Sequence, residues 1–379
     1  MTASTTSAAQ TLSQPQLDAL AHDLDAIRNR VMADLGSRDE HYIRRVLAVQ
    51  RAAELSGRGL LMVGLLPPVW IAGVAMLSLS KVLENMEIGH NVIHGQYDWM
   101  NDPALFGANY EWDWACPASS WRHTHNFIHH TFTNIVGKDR DVGYGILRMA
   151  DEQPWHWYNV PQPIYAFFQM LLFEWAVAVH ELAFNEMLAG RRSLREVATE
   201  ARPVIRKAAP QVFKDFLLFP LLAGPAAPAV LAGNVSSNVV RNVWAFLVIF
   251  CGHFPDGVHM HAMPDEANDS RGAWYVRQIL GSANVEGSRW LHILSGHLSH
   301  QIEHHLFPDL PSSRYPEIAQ EVRALCEQYG LPYNTGTFGR QLRGALSRIV
   351  RCALPPAASK ARLRTRWWPS ITQSAGATN

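Results

Sequence analysis

The sequence has little of several features that would assign it to a common class of protein. Its 33 Lys and Arg balance 33 Asp and Glu, so it carries no net charge at pH 7. Because phosphate binding needs a net basic surface, this balance argues against a nucleic-acid partner. The 4 cysteines are scattered without a C-x-x-C pair, which excludes a disulfide framework or a zinc ribbon and favours a reducing compartment. Residues 1–45 contain no charged segment followed by an apolar one, so we expect no secretory signal.

The chain is instead rich in apolar residues, which make up 48% of it, and in histidine, with 18 residues. Apolar runs at 46–66 and 69–80 are separated by Pro67 and Pro68. Since proline ends a helix but suits a turn, these runs predict a helical hairpin. Three further apolar runs lie at 160–184, 212–233 and 239–250. Each run is near the length that crosses a bilayer core of about 30 Å, or somewhat shorter, and together they predict a membrane protein.

Three histidine clusters share one spacing. They are GHNVIHG at 89–95, HTHNFIHH at 123–130 and HQIEHH at 300–305. On a helix, residues four apart lie on one face and can hold one metal ion, while the extra adjacent histidine points about 100° away and can reach a second ion. A chance arrangement of ordinary interfacial histidines is a poor explanation of a spacing that occurs three times. The candidate ligands in the clusters are His90, His94, His125, His129, His130, His300, His304 and His305.

So many imidazoles exceed the three or four protein ligands of a single zinc ion, so the clusters predict two metal ions. Imidazole suits zinc, copper, iron and nickel alike, and therefore does not name the metal. His253, in FCGHFPDG, follows the last apolar run and is a further candidate ligand, and Gln301 can replace or accompany His300. Five neighbours are candidates for orienting the ligands, with an ordinary structural or surface role as the alternative for each. They are His123, His297, Glu87, Asp141 and Glu303.

If the clusters share one site, the chain must cross the membrane an even number of times between any two of them. Three apolar runs separate His130 from His253, so one of these runs does not cross. The run 160–184 contains Glu174 and His180, and we interpret it as a helix in the membrane interface. The following segment, 185–214, is rich in Arg and Lys and is expected on the cytoplasmic side. The remaining predicted spans are 46–66, 69–90, 212–233 and 236–254.

We therefore expect an all-α membrane protein. Its four transmembrane helices form two hairpins, and an interfacial helix and a large helical cytosolic cap complete the fold, with the two metals held in the cap. Residues 1–20 are expected to form a flexible N-terminal tail, 21–352 one domain and 353–379 a basic C-terminal tail.

At its histidine clusters the chain resembles a known family. GHNVIHG, WRHTHNFIHHTFTNI and HQIEHHLFPDLP are similar to the three histidine boxes of the integral-membrane fatty acid desaturases, over about residues 20–340. The phrase ENMEIGHNVIHGQYDWMNDP resembles the actinobacterial acyl-CoA desaturases of the stearoyl-CoA delta-9 type. The resemblance implies a four-span fold with two iron ions in a cytosolic cap. It also implies that His253 is the family's additional iron ligand.

The boxes depart from one branch of that family. The acyl-CoA desaturases of animals have two-residue gaps in the second and third boxes, whereas HNFIHH and HQIEHH have three-residue gaps. QIEHH is also found in front-end and lipid-linked desaturases, in which Gln stands at the ligand position. The resemblance thus implies a long-chain acyl desaturase acting on acyl-CoA at the delta-9 position of C16 or C18 chains. A front-end or lipid-linked desaturase and a membrane di-iron hydroxylase are the alternatives.

Such a desaturase uses O2 as co-substrate and needs external electrons. The sequence has no G-x-G-x-x-G after a strand, no Walker loop and no His-Pro-Gly-Gly haem motif. We therefore expect no bound nicotinamide or flavin on this chain. The resemblance implies an external NAD(P)H-dependent flavin and iron–sulfur oxidoreductase that docks on the cytosolic face. We expect a multi-pass protein of the cell inner (plasma) membrane whose active site faces the cytoplasm.

Tryptophans near the first two boxes are candidates for the walls of an acyl slot, with interfacial anchoring as the alternative. They are Trp99, Trp112, Trp114 and Trp121.

Two unrelated functions are less well supported. A His-lined metal transporter would place its ionisable residues near the middle of its spans, whereas these clusters lie outside the apolar runs. A zinc hydrolase with an H-E-x-x-H motif could begin at His180 and Glu181, but Phe184 stands where the second histidine is needed.

Overall fold

The computed structural model describes residues 12–182, 190, 193–261 and 270–356. Helix α1 (Gln14–Ala33) begins inside the predicted tail 1–20, because Leu17 and Leu20 are buried. That prediction is therefore wrong for residues 14–20. Residues 1–11, and residues 357–379 of the predicted C-terminal tail, lie outside the described residues.

Helices α2 (Ser37–Met62) and α3 (Pro67–Val82) form the first hairpin, with the two prolines at the start of α3. Proline is tolerated there because its missing N–H would have no helical partner. The helices cross closely at Gly57, where a Cβ atom would lie 2.6 Å from the backbone nitrogen of Leu77. Small residues at such crossings allow membrane helices to approach each other.

π-Helical segments, whose backbone hydrogen bonds join residues five apart, lead into the first histidine box and contain most of the second. Helix α3 continues as π-helical Leu83–His90 and then as α4 (Asn91–Ile93). The second box follows α5 (Ala118–Trp121), occupies π-helical Arg122–His129 and ends in α6 (His130–Phe132). Single 3₁₀ turns lie at Asp98–Met100, Pro103–Leu105, Val142–Gly145 and Trp157–Asn159.

The segment predicted to lie in the membrane interface is a bent pair of helices. Helices α7 (Gln162–Leu171) and α8 (Phe173–His180) meet at an angle of 104°. Inside this bend, Phe173 and Glu174 are buried against the rest of the protein. The geometry is that of a broken span or a re-entrant segment.

The second hairpin is built from three helices and a short turn. Helix α9 (Leu194–Phe213) continues as π-helical Lys214–Leu218 and then as α10 (Phe219–Leu222). A 3₁₀ turn, Gly224–Ala226, leads into α11 (Ala227–His253).

The predicted turn between 212–233 and 236–254 is wrong, because α11 runs through this position without interruption. The chain turns earlier, where Gly224 adopts a φ of +54° and Pro225 starts the next helical segment. Gly233 does not end a helix. It lies at a helix crossing, where a Cβ atom would be 2.5 Å from Cδ2 of Leu61.

The C-terminal part of the described chain encloses the third box. Its helices are α12 (Arg271–Leu280), α13 (Arg289–Leu294), α14 (Gln301–Leu306), α15 (Tyr315–Gln328) and α16 (Phe338–Ala353). Short 3₁₀ turns lie at Leu298–His300 and Ser312–Arg314. Strand β1 (Asn284–Glu286) pairs in parallel with β2 (Thr335–Thr337). Every side chain of α14 is buried, and α1, α12 and α15 share one apolar core beside it.

Two described helical stretches are long and apolar enough to cross a membrane, Pro67–Ile93 and Gly224–His253, and the bent pair can provide a third span. The expected helical fold with membrane-spanning helices is thus confirmed. The other two predicted spans correspond to α2 and to the stretch from α9 to α10. These helices carry buried charged residues, including Arg58 and Asp215.

Candidate metal centre

Four separate segments bring the histidine clusters together. The first box lies at the end of the long helix that begins with α3, and the second box lies in the segment from α5 to α6. The third box lies in and just before α14, and His253 is the last residue of α11. One π-helical turn ends at His90 and another contains most of the second box. Such turns are uncommon in proteins but are frequent at functional sites.

The histidines form two adjacent groups. The first group consists of His90, His94, His125 and His304, and the second of His129, His253 and His305. Within each group the possible ligand atoms lie within 4.8 Å of one another. The ring of His130 lies between the groups, with its centroid 4.8 Å from that of His94 and 4.5 Å from that of His305. The geometry therefore allows two metal ions side by side.

Many of the ring nitrogens lack a hydrogen-bond partner among the described residues although they are buried. They belong to His94, His125, His129, His130, His253, His304 and His305. An unpaired buried polar atom costs about 1–3 kcal/mol, so native proteins rarely collect several in one place. Metal ions bound to these lone pairs would remove that cost. The donor set therefore fits metal ions, although its chemistry alone does not distinguish iron from zinc or copper.

The opposite ring nitrogen is held by a polar side chain in several of these histidines. His125 Nδ1 lies 2.9 Å from Asp141 Oδ2, and His129 Nδ1 lies 2.9 Å from Asp139 Oδ2. His305 Nδ1 lies 3.0 Å from Gln278 Oε1. A hydrogen on Nδ1 that is donated in this way fixes the ring and leaves Nε2 free to bind a metal.

Burial favours the neutral form that metal binding requires. Burial lowers the pKa of His130, His304 and His305 well below the usual value, and the neighbouring rings lower it further. Burial also acts to lower the pKa of His129, but the carboxylate of Asp139 outweighs it and raises the pKa overall. Most of the cluster is therefore ready to bind a cation without first releasing a proton.

His300 and Gln301 occupy different places. The ring of His300 lies outside both groups, with its centroid 4.7 Å from that of His292 and its Nδ1 3.4 Å from Ser299 Oγ. Gln301 is buried beside the second group, with Nε2 3.0 Å from Nε2 of His253 and Oε1 without a partner among the described residues.

Of the residues expected to orient the ligands, Asp141 contacts a clustered histidine directly. His297 and Glu87 contact each other at 3.0 Å, whereas Glu303 accepts hydrogen bonds from Asn284 and Tyr333. His123 is exposed on the outside of the second box.

Asp139 and Gln278 were missed from the sequence. Asp139 stands two positions before Asp141, and this repeat of carboxylates after the second box was a usable signal. Gln278 had no signal, because only the tertiary fold brings α12 against His305.

A cavity extends along both groups. Its polar wall contains His90, His125, His129, His253 and Gln301, and its aromatic wall contains Trp112, Trp114, Trp121 and Tyr144. Trp121 stacks on His125 with ring centroids 4.2 Å apart. Three of the four candidate tryptophans therefore line this cavity, whereas Trp99 does not. A largely apolar slot beside a metal centre suits an alkyl chain.

The comparison with protein families agrees with this geometry. The family model for fatty acid desaturases matches residues 66–337, which is more than half of the chain. The chain belongs to the fatty acid desaturase family. It is an oxidoreductase, and the resemblance seen in the histidine boxes is confirmed.

Individual relatives agree with the family. The chain is 45% identical over 348 residues to the NADPH-dependent stearoyl-CoA 9-desaturase of Mycobacterium tuberculosis, which covers 91% of this chain and 82% of that protein. It is 24% identical over 277 residues to the sn-1 linoleoyl-lipid 6-desaturase of a Synechocystis species, covering 70% of this chain and 75% of the relative. It is 25% identical over 293 residues to human fatty acid desaturase 3, covering 73% and 61%.

Proposed function

We propose that this enzyme introduces a double bond at the delta-9 position of a C16 or C18 acyl-CoA, using O2 and two iron ions. The name and 45% identity of the mycobacterial relative support the substrate and the position of the bond. The observation that carries the proposal is the pair of buried histidine groups whose unpaired nitrogens face each other beside an apolar cavity.

We assign the metal ligands from the geometry. The first ion would be held by His90, His94, His125 and His304, and the second by His129, His253 and His305. His130, which lies between the groups, would complete either set. Gln301 points toward the second group and His300 does not, which favours Gln301 as the additional contributor from the third box, directly or through water.

The chain's own residues provide position and exclusion of water. When bound, a pair of iron ions would supply the O2-dependent oxidation of an unactivated C–H bond. Asp139 and Asp141 hold the rings of His129 and His125, so that each Nε2 keeps a fixed direction. The walls of Trp112 and Trp121 would place one methylene pair beside the histidine groups, and such placement decides which bond reacts.

We further propose that α2 and the stretch from α9 to α10 also cross the membrane, which gives four spans. Two observations support this. The spans are joined by buried ion pairs, since the carboxylate oxygens of Asp215 lie 2.9 Å from Arg58 Nη2 and 2.9 Å from Lys81 Nζ. Paired charges of this kind are tolerated inside a helix bundle. An even number of crossings would also keep all histidine boxes on the cytoplasmic face, where an external NAD(P)H-dependent flavin and iron–sulfur oxidoreductase can deliver electrons.

Product analysis in a host without its own desaturase tests the proposal. The host expresses the chain with a competent electron donor, and mass spectrometry locates any new double bond in its fatty acids. We expect delta-9 unsaturated C16 and C18 chains. Unchanged fatty acids would contradict the proposal, hydroxy fatty acids without an alkene would favour the hydroxylase, and a double bond near the carboxyl end would favour a front-end desaturase. Labelling of the free acyl-CoA pool before membrane lipids distinguishes the acyl-CoA substrate from a lipid-linked one.

A further inference from the structure

A second cleft, separate from the acyl cavity, opens on the outside of the first histidine group. The start of α2 contributes Arg38, His41, Tyr42 and Arg45, and α13 contributes Arg289, His292 and Ile293. His297, Ser313, Pro316 and Glu317 complete the lining. No residue lines both this cleft, which we call the basic cleft, and the acyl cavity.

The basic cleft carries excess positive charge. Arg38 is paired with Glu317, whereas Arg45 and Arg289 are exposed and have no ion-pair partner among the described residues. Next to Arg289, the ring of Trp290 is 72% exposed. Exposed Arg and Trp together are typical of sites that bind another protein, because they combine charge with a large apolar contact area.

An unbroken chain of hydrogen bonds connects the floor of the basic cleft to the first histidine group. His297 Nδ1 donates to Glu87 at 3.0 Å, and the hydroxyl of Ser312 donates to the same carboxylate at 3.0 Å. The amide of Asn91 donates to Ser312 Oγ at 2.9 Å, and Asn91 Oδ1 lies 3.0 Å from Nδ1 of His90. Glu87, Asn91 and Ser312 are fully buried, so this path is shielded from water along its length.

The path links the basic cleft to the acyl cavity through one ligand ring. It ends at Nδ1 of His90, and His90 also lines the acyl cavity. Because the two pockets share no lining residue, a donor protein in the basic cleft and an acyl chain in the cavity can be bound at the same time. A coenzyme A headgroup in the basic cleft would instead need its acyl chain to enter a pocket that shares none of the lining of the cleft.

We propose that the basic cleft is the docking site of an acidic redox protein and that the chain from His297 to His90 couples it to the metal centre. This inference rests on the proposed function. In each turnover two reduced one-electron donors are oxidised in succession. Their two electrons and two protons from water, with two hydrogen atoms from the acyl chain, reduce one O2 to two water molecules and leave one carbon–carbon double bond.

Direct binding tests the docking site without depending on bound metal. The full chain in lipid nanodiscs is titrated with an acidic [2Fe–2S] ferredoxin, and the dissociation constant is measured at low and high salt. We expect R45E/R289E to weaken binding by about tenfold or more and to flatten the salt dependence, because opposite charges steer and hold such partners. R323E/R343E, which reverses two exposed arginines elsewhere, is the matched control and should leave the dissociation constant near that of the wild type.

Other occupants give different results. Equal ferredoxin affinities in wild type and R45E/R289E would overturn the proposal. An unchanged affinity with a raised KM for stearoyl-CoA would assign the basic cleft to coenzyme A, and a loss confined to binding of anionic vesicles would assign it to lipid headgroups. A single turnover started with dithionite and stearoyl-CoA needs no donor protein. If the wild type forms no alkene in that assay, the proposed function fails whatever the binding data show.

A second pair of variants tests the coupling path. S312A removes the link between Glu87 and Asn91, whereas S347A changes an exposed serine of α16 that lines neither the basic cleft nor the acyl cavity. We expect S312A to slow the reduction of the bound metal by ferredoxin several-fold, with iron content and ferredoxin affinity unchanged. S347A should keep the wild-type rate. Equal rates in both variants would show that the path does not carry the electrons.

Discussion

The histidine groups and the ion network between the two hairpins are both buried polar clusters, but their atoms are satisfied in different ways. In the network, Lys81 Nζ lies 2.9 Å from Asp215 and 3.2 Å from Asp113, and Arg241 pairs with Glu174. Each of these charges faces an opposite charge. In the histidine groups, nitrogens without partners face other nitrogens without partners.

This contrast separates a structural cluster from a binding site. The network adjoins the tryptophan wall of the cavity through Asp113, which stands between Trp112 and Trp114 in the sequence. Arg241 donates a hydrogen bond to the backbone oxygen of Asp113 at 3.1 Å. The network therefore holds the cavity in place through charges that are paired within the chain, although Nη1 of Arg58 and Nε of Arg241 have no hydrogen-bond partner among the described residues. The histidine groups are incomplete without an added cation, and that is the physical sign of a metal centre.

The largest effect is expected when a residue of the histidine groups is removed. His129→Ala removes a proposed ligand, so desaturation should fall to background because the second ion loses one of its imidazoles. Fatty acid analysis of the expressing host measures the loss. Circular dichroism and membrane fractionation should show preserved folding and insertion. Retained turnover would remove His129 from the ligand set.

The second largest effect is a loss of stability when a charge of the ion network is removed. Asp215→Asn leaves Lys81 and Arg58 with one fewer buried counter-charge, and we expect a loss of about 3 kcal/mol in stability, as for other buried pairs that lose one partner. Thermal unfolding in detergent measures it, and iron content per folded chain should not change. Glu54→Gln is the matched control, since Glu54 also pairs with Arg58 but is partly exposed. Its removal should cost less than about 1 kcal/mol.

A smaller effect is expected within the candidate metal centre, at a carboxylate that holds a proposed ligand in position. Asp139→Asn keeps the size of the side chain that holds His129 Nδ1 but removes its charge. Residues in this position typically contribute about 10–100-fold to metal affinity or activity. We expect a loss in that range, measured by iron retention during dialysis against a chelator. Iron retention equal to that of the wild type would contradict the positioning role of Asp139.

The smallest effect is expected at His300, which the box spacing predicts as a ligand but which lies outside both histidine groups. His300→Ala should leave iron content and desaturation within about twofold of the wild type, well below the loss expected at a residue that orients a ligand. Gln301→Ala, one position later, should reduce iron retention because Gln301 lies beside His253. Metal analysis of the two purified variants makes the comparison. The reverse order of effects would restore His300 as the ligand.

Most of the candidate site could be predicted from the sequence, because its histidines recur at a spacing that is typical of one face of a helix. In the first box the rule holds, since His90 and His94 both belong to the first group. In the second box His125 belongs to the first group and His129 to the second, and both lie in a π-helical turn, where the spacing of an ordinary α-helix does not apply. The rule also fails at the third box, for a different local reason. Helix α14 begins at Gln301, and His300 stands before it with φ −107° and ψ 58°, so residue 300 does not share the helical face of residue 304.

The fold was predictable to a similar extent. Pro67 and Pro68 correctly marked the first hairpin, because proline restricts the backbone regardless of the surroundings. The predicted boundary between the spans 212–233 and 236–254 was wrong, because α11 continues through it and Gly233 serves a close helix crossing with Leu61, a contact that the sequence does not reveal. Contacts between distant segments, such as Gln278 with His305, leave no periodic pattern in the sequence.

Metal analysis of the purified wild-type protein tests the central claim most directly. Elemental analysis and X-ray absorption spectroscopy of the same sample give the metal content and the ligand atoms. We predict close to two iron ions per chain, bound mainly by imidazole nitrogen, which corresponds to the two histidine groups. One ion or fewer in fully active protein, or iron bound mainly by carboxylate oxygen or sulfur, would contradict the account.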